Sequence, residues 1–151
     1  MEDLTKIITF SKDYEFLSNF YHSPFIVDDI QYDSVEHFFQ SSKAAAWDEA
    51  MWVNAAPTPG QAKGRGRKVS MRPDWEQIKI DIMRFALEQK FAIPELKEKL
   101  LATGDSELIE GNWWDDNFWG DCYCPACQSI KGKNMLGKLL MELREKLKGQ
   151  S

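Results

Sequence analysis

The sequence predicts a mainly α, single-domain, multihelical fold with a few short β-strands near the amino terminus, and three observations carry that expectation. Apolar residues recur at helical spacing through most of the chain from Val35 onward. Helix-opening residues, namely Ser34, Thr58-Pro59, Pro94 and Asn134, stand in front of the periodic stretches. Strand-like runs are confined to Ile7–Phe10 and Phe25–Tyr32. The 151 residues are 43% hydrophobic and 28% charged, which excludes disorder, collagen and repeat arrays. At this length folding hides roughly 70% of the unfolded chain's surface, so one core suffices, and one domain over residues 1–151 is expected.

Ile7–Phe10 is a short β-branched and aromatic run. Phe25-Ile-Val27 and Ile30-Gln-Tyr32 flank Asp28-Asp29, the pattern of a small hairpin. Asp33 or Ser34 then caps a helix expected to reach about Trp47, with Glu36 in the capping-box position relative to Asp33. Asp48–Ala55 reads as a second helical piece, stopped before Pro57. Thr58-Pro59 opens another that Gly64 and Gly66 soon end. From near Pro73 to Phe91, Trp75, Ile78, Ile82, Phe85 and Leu87 form one apolar stripe predicted to face the core. Pro94 starts a helix burying Leu96, Leu100 and Leu101 and closed by Gly104. Asn134 caps the last helix, in which Met135, Leu136, Leu139, Leu140, Leu143 and Leu147 keep helical spacing.

Nineteen Lys and Arg against 24 Asp and Glu give a net charge of −5, so the molecule as a whole repels a phosphate backbone and does not read as a general DNA coater. The amino terminus lacks the basic and apolar regions of a secretory leader. No apolar run approaches the ~20 residues of a membrane span, so no membrane partner is expected. No lipid-anchor motif stands at either end. Cys122, Cys124 and Cys127, an odd number crowded together, suit a reducing compartment, and a cytoplasmic location is expected.

The local pattern carries more chemistry than the totals. Glu36, Gln40 and Lys43 stand at i, i+4 and i+7 with Val35, Phe38 and Phe39 beside them, so a carboxylate next to aromatics becomes available as an acid or base. The competing reading is a solvated face on which Glu36 merely caps, and His37 reads as a packed side chain. Lys63-Gly-Arg-Gly-Arg-Lys68 puts many cations on flexible backbone, which suits a phosphate or diphosphate, although its spacing is that of neither a Walker loop nor a dinucleotide fingerprint. Its alternative is an exposed loop pairing with the chain's own acids. In Asn112-Trp-Trp-Asp-Asp-Asn-Phe-Trp-Gly120, indoles alternate with carboxylates: stacking surfaces beside groups that steady positive charge, as glycosidic cleavage requires. The alternative there is a packed corner whose Asp residues cap turns. The three Cys could hold zinc with a fourth ligand from His22 or His37, but with no second Cys pair the expectation is reduced thiols in a variable loop and no metal.

The ordered set Phe16-Leu-Ser-Asn-Phe-Tyr21, Tyr32-x-Ser-x-Glu-His-x-Phe-Gln40 with Lys43, Ala62-Lys63 with Gly66-Arg67, Lys90-Phe91, Thr103-Gly104, Asp116-x-x-Trp-Gly120 and Gly132-x-Asn-x-Leu-Gly137 closely resembles the NADAR, or YbiA-like, family over nearly the whole chain. The resemblance implies the YbiA-like fold and an N-glycosidase with no cofactor. Its substrates would carry a ribosyl–nitrogen bond, in phosphoribosylated riboflavin-pathway intermediates or in ADP-ribose on guanine, either as a free nucleotide or within nucleic acid. Carried over by motif position, Glu36 and Asp116 become the polar catalytic pair with Lys43 assisting. Trp119 becomes the stacking platform, Asn19, Phe20, Gln40, Gly120 and Asn134 line the substrate, and Lys63 and Arg67 hold phosphate. One carboxylate would stabilise the anomeric carbon or activate water while an acid or Lys43 helps the base depart. Two other classes stay open: a non-catalytic module binding ADP-ribose or an NAD-derived nucleotide, and a zinc-stapled interaction module. The segment from Gly120 to Gly132, which carries the Cys, is longer than the simplest family pattern.

Overall fold

The computed structural model describes residues 6–150. Residues 1–5, on which part of the leader reading rests, lie outside the described residues. The chain forms two compact units: Asn19–Ala92, and the described residues up to Ser18 together with those from Ile93 onward.

In the unit Asn19–Ala92 a hairpin comes first, as strands Phe25–Val27 and Ile30–Tyr32, antiparallel with Phe25 opposite Tyr32. Asp28 and Asp29 both take the left-handed conformation, at φ 51° and 66°, as a two-residue turn matched to strand twist requires. Helix α1 (Val35–Ser42) follows, with Ser34 as its N-cap: the Ser34 hydroxyl accepts the His37 N–H at 3.1 Å. The cap is therefore Ser34, and Glu36 sits in the first turn with its side chain buried, not in a capping box with Asp33. The helix stops at Ser42 rather than near Trp47. Beyond it the backbone pairs with a distant segment, Ala45 N–H donating to Ser70 at 2.8 Å and Arg72 N–H to Lys43 at 3.0 Å. Helices α2 (Trp47–Asn54), α3 (Pro59–Gly66) and α4 (Trp75–Lys90) complete the unit, and all three pack on α1. Thr58 caps α3, its hydroxyl accepting the Gln61 N–H at 3.1 Å.

An aromatic group formed by Phe25, Tyr32 and Phe38, with centroids 4.9–6.1 Å apart, fixes the hairpin to α1, and Phe39 packs on Trp75 at 4.9 Å. The buried stripe of α4 is Trp75, Met83, Ala86, Leu87 and Lys90. Ile78 and Ile82 are half-buried, and Phe85 is 39% exposed while resting against Phe38 at 5.7 Å.

In the other unit, strand β1 (Lys6–Ile7) pairs in parallel with a strand at Glu107–Leu108. A second parallel pair joins Gly111–Asn112 to Asp121–Cys122. Numbered in chain order, the hairpin strands are β2 and β3, and these are β4, β5 and β6. Short strands thus occur well beyond the amino-terminal part of the chain. Helix α5 (Pro94–Ala102) buries Leu96 and Leu100 while Leu101 stays half-exposed, and Gly104 at φ 64° ends it. Helix α6 (Met135–Lys148) buries Leu136, Leu139, Leu140, Leu143 and Leu147 and packs on α5 and β4. Among the described residues, no helix is long and apolar enough to cross a membrane.

Candidate active site

Within Asn19–Ala92 the chemistry gathers on the inner face of α1. Glu36 is only 7% exposed, and its Oε1 accepts from Gln40 Nε2 at 2.9 Å, one helical turn along. Burial pushes the Glu36 carboxyl above the usual carboxylate range, while the Gln40 amide and the charges of Lys63 and Lys43 pull the other way. Lys43, at the C-terminal end of α1, is driven below the usual lysine value by burial and by Arg67, with Glu36 opposing. Glu36, Gln40, Lys43, Lys63 and Arg67 are thus brought into one electrostatic neighbourhood. Asn19 joins through its backbone, whose carbonyl accepts the Glu36 N–H at 3.1 Å. Its Nδ2 donates to Met83 Sδ at 3.6 Å. Phe20 is 45% exposed.

Among the described residues three buried amide oxygens, Asn19 Oδ1, Gln40 Oε1 and Asn54 Oδ1, have no hydrogen-bond partner, and the first two belong to residues hydrogen-bonded to Glu36. Buried polar atoms are rarely left so, and a ligand is one way to satisfy them. The basic run divides by use. Residues 59–66 are helical rather than a flexible loop, and Arg65 is spent internally: it donates to the Trp52 carbonyl at 2.7 Å and lies over the Trp52 ring. Arg72 pairs with Asp74. Lys63 acts on Glu36 and Arg67 on Lys43.

The other candidates belong to the second unit. Asp116 Oδ1 accepts the N–H groups of Phe118 and Trp119 at 3.2 and 2.9 Å, so that oxygen shapes the turn. Trp119 is half-buried and meets Phe118 edge-on at 4.8 Å. The Phe118 and Trp119 carbonyls accept the Met135 and Leu136 N–H groups, hanging the loop on the amino end of α6. Asn134, at φ 49°, does not cap that helix with its side chain. Its Nδ2 donates to the Leu108 carbonyl at 2.8 Å and its Oδ1 accepts the Glu110 N–H at 2.9 Å. Both polar atoms of Asn134 therefore brace the fold. Gly120 is buried where a Cβ would collide with the Glu110 carbonyl, which makes its smallness a packing requirement.

Ser34 caps α1 and His37 is packed, as the sequence suggests, but sequence reading missed the bonds by which they position the helix. Ser34 pairs with His37 Nδ1 at 2.7 Å, and His37 Nε2–H donates to the Ala56 carbonyl at 2.9 Å, so both ring nitrogens hold α1 in place and neither is a spare metal ligand. The Ser-x-x-His spacing at a helix start was the available signal. Gly66 lets the Gln40 amide lie against α3, since a Cβ there would overlap Gln40 Oε1. Asn112, fully buried, accepts the Trp114 and Asp116 N–H groups and donates to the Asp116 carbonyl at 2.8 Å.

The chain is 39% identical over 140 residues to N-glycosidase YbiA of Escherichia coli (strain K12), covering 91% of this chain and 84% of that protein. It is 36% identical over 135 residues to the riboflavin biosynthesis protein VVA0006 of Vibrio vulnificus (strain YJ016), covering 87% of this chain and 35% of that longer protein. The NMR structure of Escherichia coli YbiA superposes with a TM-score of 0.82 at 36% identity, over 96% of this chain and 84% of the other. The likeness in sequence to named N-glycosidases and the mainly α fold shared with one of them define the class: a hydrolase acting on N-glycosyl bonds. The chain belongs to the NADAR family, whose domain model matches residues 9–148 and so runs through both units.

Proposed function

We propose that this protein hydrolyses the bond between ribose C1 and a nitrogen base in a phosphorylated substrate, with phosphoribosylated intermediates of the riboflavin pathway as the first candidates. The single observation behind the reading is Glu36: a buried carboxyl held by the Gln40 amide and under the charges of Lys63 and Lys43. A carboxyl kept out of water among cations suits an anionic substrate whose reacting carbon becomes positive. The riboflavin name of the Vibrio relative favours phosphoribosyl substrates, and ADP-ribosylated guanine, free or in nucleic acid, is the other ribosyl–nitrogen substrate to test.

In the reaction, the C1–N pair leaves with the base, water oxygen bonds to C1, and the base nitrogen gains a proton. Glu36 steadies the electron-poor C1 and takes the proton that water loses, a role its raised pKa favours. Lys43, made more acidic by burial, gives a proton to the departing nitrogen. Lys63 and Arg67 hold the phosphate. Gln40 and Asn19 line the substrate and hold Glu36 in place, Gln40 through its side-chain amide and Asn19 through its carbonyl. By family likeness alone, Asp116 is the expected second carboxylate and Trp119 the expected stacking surface for the base, with Phe20, Gly120 and Asn134 as expected substrate-lining residues. Three cysteines free of disulfides support a cytoplasmic setting.

The test is a chromatographic screen of aminopyrimidine ribosyl phosphates, ADP-ribosylated guanine and nicotinamide dinucleotide against the wild type and Arg67→Ala. Release of free base from a phosphoribosyl substrate, with KM raised in Arg67→Ala, is expected. Saturable binding without cleavage of any of them would make the protein a nucleotide-binding module instead.

A further inference from the structure

We propose that Asp115, Cys122, Cys124 and Cys127 form a zinc site that staples the loop between β5 and α6. The four ligand atoms lie within 4.8 Å of one another, and Asp115 Oδ1 is 3.2 Å from both Cys124 Sγ and Cys127 Sγ. Tetrahedral zinc, with Zn–S about 2.3 Å and Zn–O about 2.0–2.2 Å, separates its ligand atoms by about 3.5–3.8 Å. The spacings found lie on either side of that value, so small side-chain rotations close the shell.

The Cys124 and Cys127 thiols donate to Asp115 Oδ1, contacts that zinc would replace, and N–H donors already meet the Cys122 and Cys127 sulfurs. Cys122 Sγ accepts the backbone N–H groups of Asp115 and Cys124 at 3.3 and 3.4 Å, and Cys127 Sγ accepts Asn117 Nδ2 at 3.3 Å. Such outer donors orient sulfur ligands and steady their negative charge. Cys122 and Cys127 are buried, and Pro125 opens a 3-10 turn, Pro125–Cys127, that folds Cys127 back on Cys124. Asp115 holds a left-handed backbone at φ 65°, uncommon for a residue with a side chain, and in that conformation its carboxylate faces the sulfurs. The fourth ligand comes from this same loop and not from His22 or His37. Three sulfurs and one oxygen in a tetrahedron suit zinc among common divalent ions, and a shell completed by protein marks a structural site. Asp115 directly precedes Asp116, so the metal would hold in place the loop that carries Asp116 and Trp119.

The experiment titrates the full reduced chain, stripped of metal, with cobalt(II) and then zinc(II). One equivalent of cobalt is expected to give thiolate-to-metal charge-transfer absorption and tetrahedral visible bands, both abolished by zinc. Cys127→Ser should lose roughly a third of the charge-transfer intensity, and Asp115→Ala should keep it while weakening zinc binding about tenfold or more. Elemental analysis of the wild type as purified, which needs no variant to fold, should give one zinc per chain. Absence of stoichiometric uptake, uptake indifferent to Cys127→Ser, or a mass showing two of the thiols joined as a disulfide in the native protein would overturn the proposal.

Discussion

Ser34 shows how much one hydroxyl can hold. It caps α1 and also pairs with His37, whose other nitrogen reaches Ala56, all in the interior. Removing it deletes a cap, worth about 1 kcal/mol, and leaves a buried imidazole nitrogen unpaired, worth about 1–3 kcal/mol. Ser34→Ala should therefore cost about 2–4 kcal/mol in urea denaturation, whereas a loss under about 0.5 kcal/mol would mean that the network is dispensable. Lys90 offers a pH test. It is fully buried, between the rings of Tyr21 and Phe91, and burial lowers its pKa to about 7. Between about pH 7 and the ordinary lysine value near 10.4, the unfolded chain holds a proton that the folded one has released, so stability rises with pH across that window. Relative to Lys90→Met, the wild type should gain melting temperature from pH 7 to 10; a flat difference would contradict the assignment.

At the scale of elements, the hairpin and α3 were legible because their signals are local. Asp28-Asp29 tolerate the left-handed turn, and Thr58-Pro59 supplies a cap and a preset first φ. The end of α1 was not legible, since backbone pairing with residues 70–72 decides it. Nor was the stripe of α4: hydrophobicity ranks Ile78, Ile82 and Phe85 above Lys90, yet Lys90 is the one fully buried. In the candidate site, the Glu36–Gln40–Lys43 face follows from helical spacing alone. The structural duties of Gly120 and Asn134 depend on partners ten or more positions away, and no local pattern announces them. The close approach of α3 to α1 yields a further prediction. Gly66→Ala should push the Gln40 amide off Glu36, lowering kcat/KM about tenfold or more with the fold retained by circular dichroism. Unchanged kinetics would show that Gln40 does not position the carboxyl.

For the whole molecule, a net charge of −5 makes the local cations the informative feature. Arg65 and Arg72 are engaged by Trp52 and Asp74, while Lys63 and Arg67 act on Glu36 and Lys43, a placement that suits an anionic ligand. NADAR membership spans residues 9–148, and the family likeness to named N-glycosidases supplies the reaction class that the charge pattern alone does not. In the proposed reaction the buried Glu36 carboxyl carries out the chemistry. The most direct measurement is single-turnover base release by Glu36→Gln on the substrate found in the screen, with binding measured in parallel. A fall of about 10²–10⁴-fold in rate, with the variant folded and substrate still bound, is expected. Turnover at the wild-type rate would contradict the account.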